Sequence, residues 1–271
     1  MYEEGVLIAI GGHEDKEGER VILKEVARRV GSGALVLATI ASHDPDGYVE
    51  TYSSVFTDLG VTEVRELHVD ERSETASPDK LCVFDGADAV FFTGGDQLRI
   101  SSQVGDTPVE QRIREILRRG GLVAGTSAGA SMMSENMLVR GANQESFRIG
   151  ELRMAPGLGL VRDMIIDQHF AERGRIGRLL GAVAHNPRVL GIGIDENTAA
   201  IIENGVVKVL GEGAVYVVDG AGVSHSNVAE AAPEHALSMH DIRLHVLASG
   251  DGFDLGSRRP LPPSGGSDGK G

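Results

Sequence analysis

Four short apolar runs restrict the fold of this chain more than any other feature of its sequence. They are GVLIAI at residues 5–10, GALVLATI at 33–40, ADAVFFTGG at 87–95 and GLVAGT at 121–126. Continuous apolar runs of this length are typical of parallel strands that are buried on both faces of a sheet. Segments with apolar residues at helical spacing lie between them, at residues 17–30, 47–60 and 107–120. Because strands alternate with helices, the sequence predicts an α/β fold with a doubly wound, mostly parallel sheet.

The last third of the chain has a different pattern. Residues 188–220 read as short strands separated by two turn signals, Asn204-Gly205 and the Gly-Glu-Gly turn at 211–213. We expect these strands to extend the sheet as an antiparallel C-terminal addition. The final residues are rich in glycine, proline and serine, which leaves little apolar surface to bury. The predicted organisation is a single α/β domain over residues 1–252, followed by a flexible tail over residues 253–271.

The composition argues against several classes of partner. A formal net charge of −14 opposes non-specific attraction to nucleic acid and to anionic membranes. The single cysteine, Cys82, cannot form an internal disulfide, and the early residues lack the basic, apolar and small-residue succession of a signal peptide. No apolar run approaches the roughly 20 residues of a membrane-spanning helix. We therefore expect a cytoplasmic protein with no nucleic-acid or membrane partner.

The apolar run at 121–126 leads into GTSAG at residues 125–129, which has the form G-x-S-x-G. In a nucleophile elbow, this pattern makes a sharp strand-to-helix turn that presents the serine hydroxyl at the edge of the sheet. Glycines and small residues also end ordinary strands where a helix packs closely, so the motif alone leaves both interpretations open. The position of Ser127 between a buried strand and a segment that can form a helix favours the catalytic one. Ser127 is therefore the candidate nucleophile.

A serine hydroxyl needs a neighbouring base, and histidine is the usual one because its ordinary pKa lies near neutrality. Of nine histidines, His169 lies just beyond the apolar run at residues 164–166, whereas the others lie in polar or loop-like surroundings, His13 among them, or where no nearby motif supports them. A carboxylate should hold the other ring nitrogen of the base. Asp195 and Glu196 end an apolar run and point in opposite directions, so only one of them can serve the site. Glu145 is a third candidate, since its segment follows the serine motif and could fold back across it.

Two further segments carry groups that could contact a substrate. FFTGGDQLR at residues 91–99 ends a strand in two glycines, and the amides of Gly95 and Ala128 could form an oxyanion hole. An ordinary Gly-Gly turn is the alternative. A basic cluster follows His169 and consists of Arg173, Arg175 and Arg178. Guanidinium groups bind carboxylates bidentately, so this cluster could recognise an acidic group, with a solvated helix turn as the alternative.

Four of these segments form a recognisable set, namely FFTGGDQ at 91–97, GTSAGA at 125–130, DQHFAERGRIGR at 167–178 and GIGIDENTA at 191–199. The set resembles the cyanophycinase and peptidase E family of serine peptidases over most of the chain. The resemblance implies a class I glutamine-amidotransferase-like fold, a homodimer, and no cofactor or metal ion. It also implies that Ser127, His169 and Glu196 form the catalytic set. The substrate-binding residues that it implies are Gln97, Asp167, Gln168, Arg173, Arg175 and Arg178.

The activity that the resemblance implies is that of an intracellular exopeptidase. Its substrate would be cyanophycin, multi-L-arginyl-poly-L-aspartate, and its product β-aspartyl-arginine dipeptides. Such a zwitterionic repeat fits charges of both signs, because Asp167 could pair with a substrate arginine and the basic cluster could hold an α-carboxylate. Two alternatives stay open: an aspartyl dipeptidase or isopeptidase acting on other acidic peptides, and a non-catalytic peptide-binding protein. The chain order Ser, His, Glu differs from that of α/β-hydrolases, so the serine motif does not by itself assign that fold.

Overall fold

The computed structural model of the chain describes residues 5–140, 152–230, 232 and 235–261. Strands and helices alternate in its first half, as the sequence pattern predicts. The strands are β1 (Val6–Ile10), β2 (Ala34–Ala38), β3 (Glu63–Leu67), β4 (Ala87–Phe92), β5 (Leu122–Thr126), β6 (Asn136–Arg140), β7 (Arg153–Pro156), β8 (Met164–Gln168), β9 (Leu190–Ile194), β10 (Thr198–Glu203), β11 (Val206–Gly211), β12 (Val215–Asp219), β13 (His225–Ser226), β14 (Met239–His240), β15 (Arg243–Leu247), β16 (Gly252–Asp254) and β17 (Arg259–Leu261). The helices are α1 (Val21–Val30), α2 (Pro45–Asp58), α3 (Pro78–Cys82), α4 (Gln97–Val104), α5 (Pro108–Arg118), α6 (Ala128–Ser131) and α7 (Ile176–His185), with a short 3-10 helix at Arg72–Ala76.

The larger sheet has nine strands in the order β17-β16-β11-β10-β1-β5-β4-β2-β3. Its centre is parallel, since β1 pairs with β5, β5 with β4, β4 with β2 and β2 with β3. The strands β10, β11, β16 and β17 continue it in antiparallel pairing. The predicted α/β class, with a mostly parallel sheet and an antiparallel C-terminal extension, is confirmed.

The central strands are buried on both faces, as their continuous apolar sequences require. In β1, for example, Val6, Ile8 and Ile10 pack into one core, whereas Leu7 and Ala9 pack into another. Helices α1 and α2 cover the first core with their apolar stripes. The second core lies between the larger sheet and a second sheet, and includes residues of both.

The helices begin where the chain supplies a cap or a turn. Asp44 caps α2 and Thr107 caps α5, each by accepting a backbone N–H with its side chain. Both helices carry proline in the first turn, where the missing N–H has no partner to lose. Helix α1 begins later than the pattern predicts, at Val21, because Arg20 has a left-handed backbone conformation with φ 51°. No helix within the described ranges combines the length and the apolar character needed to cross a membrane.

A second sheet of four strands has the order β15-β12-β9-β8. Its strands β8 and β9 are parallel, so the residues that follow them leave the sheet at the same edge. This sheet corrects the expectation that the C-terminal strands all extend the larger one. Strands β10 and β11 do so, whereas β9 and β12 pair with each other in the second sheet. The reason is that an apolar pattern locates a strand but does not specify its partner.

The two predicted hairpin turns have different outcomes. Asn204-Gly205 joins the paired strands β10 and β11, as expected. The turn at 211–213 joins no hairpin, because β11 and β12 lie in different sheets. Gly211 instead lets the end of β11 approach the residue that precedes β10: its φ is 122°, and an added Cβ atom would lie 2.3 Å from the carbonyl oxygen of Asn197.

The predicted tail begins too early in the sequence. Strand β16 pairs with β11, and within it Phe253 is completely buried. Leu255 is buried as well, so two apolar side chains anchor a segment whose average composition predicts a tail. The described domain therefore extends to Leu261, and residues 262–271 of the predicted tail lie outside the described residues.

Candidate active site

Ser127 lies at the turn between β5 and α6. Its φ of 53° and ψ of −107° place it in a region that L residues rarely occupy. The glycines of the motif make this turn possible. A Cβ atom added to Gly125 would lie 2.3 Å from the carbonyl oxygen of Gly129, and one added to Gly129 would lie 2.6 Å from that of Phe92. The G-x-S-x-G spacing is thus a packing requirement of this turn.

A hydrogen-bonded series connects the three predicted catalytic side chains. The Oγ atom of Ser127 lies 2.9 Å from Nε2 of His169. The other ring nitrogen, Nδ1, lies 2.6 Å from Oε1 of Glu196. Asp195 points elsewhere, as strand alternation predicts, and accepts the backbone N–H groups of Ala171 and Ala214. Glu145, the other candidate for the acidic position, lies outside the described residues.

The surroundings of His169 favour its neutral form. Burial lowers the pKa of its imidazole, against the hydrogen bond to Glu196, and the nearby guanidinium groups of Arg173 and Arg175 lower it further. The pKa of Glu196 is also lowered: its partial burial acts in the opposite direction, but the hydrogen bonds with His169 and His13 prevail. A neutral imidazole that donates from Nδ1 to a carboxylate keeps the Nε2 lone pair directed at Ser127. This arrangement is suited to accepting a proton from the hydroxyl.

The end of β1 holds these segments together. Backbone N–H groups of three different loops donate to consecutive carbonyl oxygens: Ser127 to Ile10 at 3.0 Å, His169 to Gly11 at 2.8 Å and Asn197 to Gly12 at 2.8 Å. Only glycine fits at position 12, because an added Cβ atom would lie 2.2 Å from the ring of His169 and φ is 103°. One short segment therefore fixes the relative positions of the serine, histidine and glutamate loops.

The next two residues, His13 and Glu14, are site residues that the sequence analysis did not identify. Nδ1 of His13 lies 2.9 Å from Oε2 of Glu196, the carboxylate oxygen that His169 does not use. The His13 ring is largely exposed and packs edge-on against that of His169, with the ring centroids 5.1 Å apart. The available signal was their position: polar residues directly after a buried parallel strand lie at the edge where α/β sheets bind ligands.

Glu14 is a buried carboxylate beside the serine turn. It accepts the hydroxyl of Thr126 at 2.6 Å, accepts the hydroxyl of Tyr52, and lies 3.0 Å from Nζ of Lys16. Burial raises the pKa of Tyr52 well above its ordinary value, and the negative charge of Glu14 raises it further. Lys16 also lies over the Tyr52 ring, 5.0 Å from its centroid. The ammonium group of Lys16 thus compensates the negative charge of Glu14. Glu14 in turn is hydrogen-bonded to Thr126, the residue before Ser127.

The Gly94-Gly95 turn packs against the serine turn. A Cβ atom added to Gly94 would lie 3.6 Å from Cβ of Ser127. Gly95 has a φ of 138°, and a Cβ atom added there would lie 2.1 Å from the carbonyl oxygen of Ala41. Gly95 is thus needed for the close approach of this turn to Ala41, whereas a side chain at Gly94 would make only an ordinary van der Waals contact with Ser127. Ala128, the other predicted oxyanion donor, follows Ser127 directly and is buried.

Four of the six predicted substrate-binding residues are buried and bonded to one another: Asp167, Gln168, Arg175 and Arg178. Nε of Arg178 donates to Asp167 at 2.6 Å, and Nη1 of Arg175 donates to the side-chain oxygen of Gln168 at 2.8 Å. Burial lowers the pKa of Arg175 to about 10. This network differs from the expectation that Asp167 pairs with a substrate arginine, because Arg178 already neutralises a carboxylate with no exposed surface.

The other two predicted substrate-binding residues have accessible side chains. Arg173 is exposed on the loop that follows His169. Gln97 is half-buried at the start of α4, and its Nε2 donates to the carbonyl oxygen of Leu138 at 3.0 Å. The accessible polar groups close to His169 and Glu196 include Arg173, whose charge acts on His169, Glu172, which accepts the backbone N–H of Glu196, and His13.

Comparison with known sequences finds a family and several relatives. Residues 6–210 match the profile of Peptidase family S51. The chain is 40% identical over 260 residues to a cyanophycinase of Trichormus variabilis, covering 94% of this chain and 87% of the relative. It is 36% identical over 265 residues to a cyanophycinase of Geminocystis herdmanii, covering 96% of this chain and 97% of the relative.

Comparison with solved structures concerns the fold alone, since the sequence identities are low. A peptidase from an acI-B1 actinobacterium superposes with a TM-score of 0.71 at 19% identity, covering 93% of this chain and 98% of that structure. A putative peptidase E protein from Listeria monocytogenes EGD-e gives a TM-score of 0.54 at 18% identity, covering 77% of this chain and 98% of that structure. The α/β architecture described above is thus that of known peptidases.

Proposed function

The chain belongs to Peptidase family S51 and is a serine peptidase, and from this premise we propose that it hydrolyses cyanophycin to β-aspartyl-arginine dipeptides. The observation that carries the substrate assignment is 36–40% identity to cyanophycinases over nearly the whole chain. The hydrogen-bonded series of Ser127, His169 and Glu196 supports the chemistry, because it supplies a nucleophile, a base and a group that orients the base.

In the proposed reaction, Ser127 acts from a nucleophile elbow. Its Oγ attacks the α-peptide carbonyl carbon of a β-arginylated aspartate while the hydroxyl proton passes to Nε2 of His169. The amides of Ala128 and of the Gly94-Gly95 turn stabilise the oxyanion that forms. When the carbon–nitrogen bond breaks, His169 returns the proton to the leaving amine and Ser127 is left as an ester.

Water completes the cycle. His169 takes a proton from the attacking water molecule, the carbon–oxygen bond of the ester breaks, and His169 returns the proton to Oγ of Ser127. Glu196 accepts a hydrogen bond from Nδ1 throughout, which keeps Nε2 directed at the reacting atoms and stabilises the imidazolium that forms.

The substrate contacts are divided between accessible and buried residues. We propose that Arg173 holds a substrate carboxylate and that Gln97 donates to or accepts from the substrate backbone, since both side chains reach solvent. The buried residues Asp167, Gln168, Arg175 and Arg178 act as a frame that fixes the loop carrying His169 and Arg173. The proposal also includes a cytoplasmic location and a homodimer. The dimer is checked by light scattering, with twice the 28.6 kDa mass of one chain expected.

The test of this function uses insoluble cyanophycin and purified protein. The wild-type protein should clear the suspension and release β-aspartyl-arginine, detected by mass spectrometry, whereas Ser127→Ala should release none. Ser102→Ala is the matched control, because Ser102 is an exposed serine on α4. Cleavage of aspartyl dipeptides without cyanophycin would overturn the substrate but retain the peptidase. Full activity of Ser127→Ala would overturn the nucleophile.

A second pair of variants tests the acidic member. Glu196→Gln keeps the shape of the side chain but no longer fixes the tautomer of His169, and we expect kcat to fall by about 10³–10⁴-fold. Glu145→Gln should retain most of the activity. The opposite ranking would reassign the acidic member to Glu145.

A further inference from the structure

Three ligand groups of metal-binding type converge at the edge of the site. One donor atom from each of His13, His169 and Glu196 lies within 4.8 Å of the others, the one such group among the residues that the structure describes. Two imidazoles and a carboxylate are a donor set that zinc accepts. We propose that these three side chains bind Zn²⁺ and that the bound ion inhibits the peptidase. The ion is an inhibitor in this proposal, and the reaction proceeds without it.

The present geometry is close to that of a zinc site. Nδ1 of His13 and Nδ1 of His169 lie 2.9 Å and 2.6 Å from the two oxygens of Glu196. With zinc–ligand bonds of about 2.0–2.2 Å, adjacent donors of a tetrahedral site lie about 3.3 Å apart. Each of the two nitrogen-to-carboxylate distances therefore needs to lengthen by less than about 1 Å to reach this spacing. Without the ion, a proton lies between the ring nitrogen and the carboxylate oxygen in each of the two hydrogen bonds to Glu196.

Access to the site is through His13. Its side chain is 71% exposed, against 24% for Glu196 and 5% for His169. The ion can therefore reach the three ligands from solvent. The His13 ring, which is mostly exposed, makes most of the movement that is required. A water molecule can fill the fourth position on the solvent side.

The inhibition follows from the tautomer of His169. The neutral ring carries one proton, held on Nδ1 by Glu196. Coordination of Zn²⁺ through Nδ1 transfers this proton to Nε2, with no change in the oxidation state of any atom. Nε2 then has no lone pair to accept the proton of Ser127, so the first step stops. This consequence rests on the proposed function, whereas metal binding does not.

Binding is tested without catalysis, in the Ser127→Ala protein, whose three ligands are intact. We expect isothermal titration to show one Zn²⁺ per chain, and Co²⁺ to give the visible absorption of a tetrahedral site. His13→Asn should weaken zinc binding by about tenfold or more; asparagine tolerates the positive φ of 49° at this position. His185→Ala is the matched control, since His185 is an exposed histidine at the end of α7.

Inhibition is then measured in the active protein with Zn²⁺ added to chelator-free buffer. We expect kcat to fall while KM changes little, full recovery on addition of chelator, and no effect of Mg²⁺ at the same concentration. The His13→Asn variant, compared with its own metal-free activity, should need about tenfold more Zn²⁺ for half inhibition. Unchanged zinc affinity in His13→Asn, or no binding to Ser127→Ala, would overturn the proposal. A rise in KM alone would also contradict it, because the ion would then compete with substrate.

Discussion

Ser127 holds its hydroxyl in place through a backbone conformation that few serine residues adopt, with φ 53°. Strain of this kind costs on the order of 1–3 kcal/mol and persists only where the surrounding structure fixes it. Here the Ser127 amide donates to the carbonyl oxygen of Ile10, and the hydroxyl of the preceding Thr126 donates to Glu14. Glu14 is therefore placed to position Ser127, the proposed nucleophile, through the residue before it.

Replacing Glu14 by glutamine tests this positioning role. The carboxylate accepts from Thr126 and Tyr52 and pairs with Lys16, whereas an amide has one acceptor and presents its NH₂ to a donor. We expect kcat to fall by about 10–100-fold because Ser127 is displaced, with KM nearly unchanged. Glu17→Gln, at an exposed glutamate of the same loop, should retain full activity. Equal losses in kcat for the two variants, or a loss in KM alone, would rule out positioning.

The proposed base, His169, sets the expected pH dependence of kcat/KM. The base must be neutral to accept a proton, and burial, with its guanidinium neighbours, lowers the pKa of the imidazole from 6.5. Activity should therefore be present above this lowered pKa and disappear as the pH falls through it. We expect the midpoint of the acidic limb below 6.5, measured with a soluble dipeptide-releasing substrate in the presence of chelator. A midpoint above 6.5 would contradict the described surroundings of the ring.

The residues of the site differ in how far the sequence predicts them. Ser127 is marked by a motif whose glycines the turn requires, and His169 and Glu196 follow apolar strand sequences. His13 and Glu14 also follow an apolar strand, but no motif distinguishes them, because their roles depend on contacts with Glu196 and Thr126, more than 100 positions away. Burial of the Asp167 network also has no sequence signal, since its charges resemble those of a solvated helix turn.

At the level of elements, the buried charges join strand β8 to helix α7. Asp167 lies on β8 with no exposed surface, and Arg178 lies on the first turn of the helix. Such a pair is weak evidence of net stability, because removing both charges from water is costly. Neutralising only one member of the pair is strongly destabilising, because the other charge is then left buried and unpaired.

Asp167→Asn should therefore destabilise the fold. It leaves Arg178 and Arg175 without their counter-charge, and the expected loss in the free energy of unfolding is about 3–5 kcal/mol. Urea titration measures this loss. Arg28→Gln is the matched control, because it breaks an ion pair with Glu25 on the exposed face of α1, where no measurable change is expected. A loss below 1 kcal/mol for Asp167→Asn would show that the network is hydrated.

Pairing between elements is where sequence reasoning is weakest. The apolar runs identify β1, β2, β4 and β5 because each strand is buried on both faces, a property of the strand itself. The separation of β9 and β12 from β10 and β11 depends on non-local pairing, for which no local pattern exists. Phe253 is a similar case: one aromatic residue anchors β16 although its neighbours are those of a tail.

At the scale of the whole molecule, the two sheets share one core. The cluster that contains Leu7 and Val123 of the larger sheet also contains Ile166 and Val217 of the second. The site lies where both sheets end, with Ser127 directly after strand β5 of one sheet and His169 directly after strand β8 of the other. Separation of the sheets would therefore expose the core and disperse the site together.

This shared core predicts a single cooperative unfolding transition. The chain contains no tryptophan, so one introduced residue reports on its own surroundings. Tyr48→Trp places the probe on α2 against the larger sheet, and Tyr216→Trp places it on β12 of the second sheet; both tyrosines are half-buried and accept a ring of similar shape. In each variant, we expect the urea midpoint from fluorescence to equal the midpoint from far-UV circular dichroism.

The fluorescence midpoint and the circular-dichroism midpoint are compared within the same variant. Any change in stability that the substitution causes therefore affects both midpoints equally. If the second sheet unfolded first, Tyr216→Trp would report a lower midpoint by fluorescence than by circular dichroism, while Tyr48→Trp would report a higher one. That result would divide the chain into two units and contradict the single domain. Coincident midpoints also bear on catalysis, because the hydrogen bond between Ser127 and His169 joins the two sheets and can persist only while both are folded.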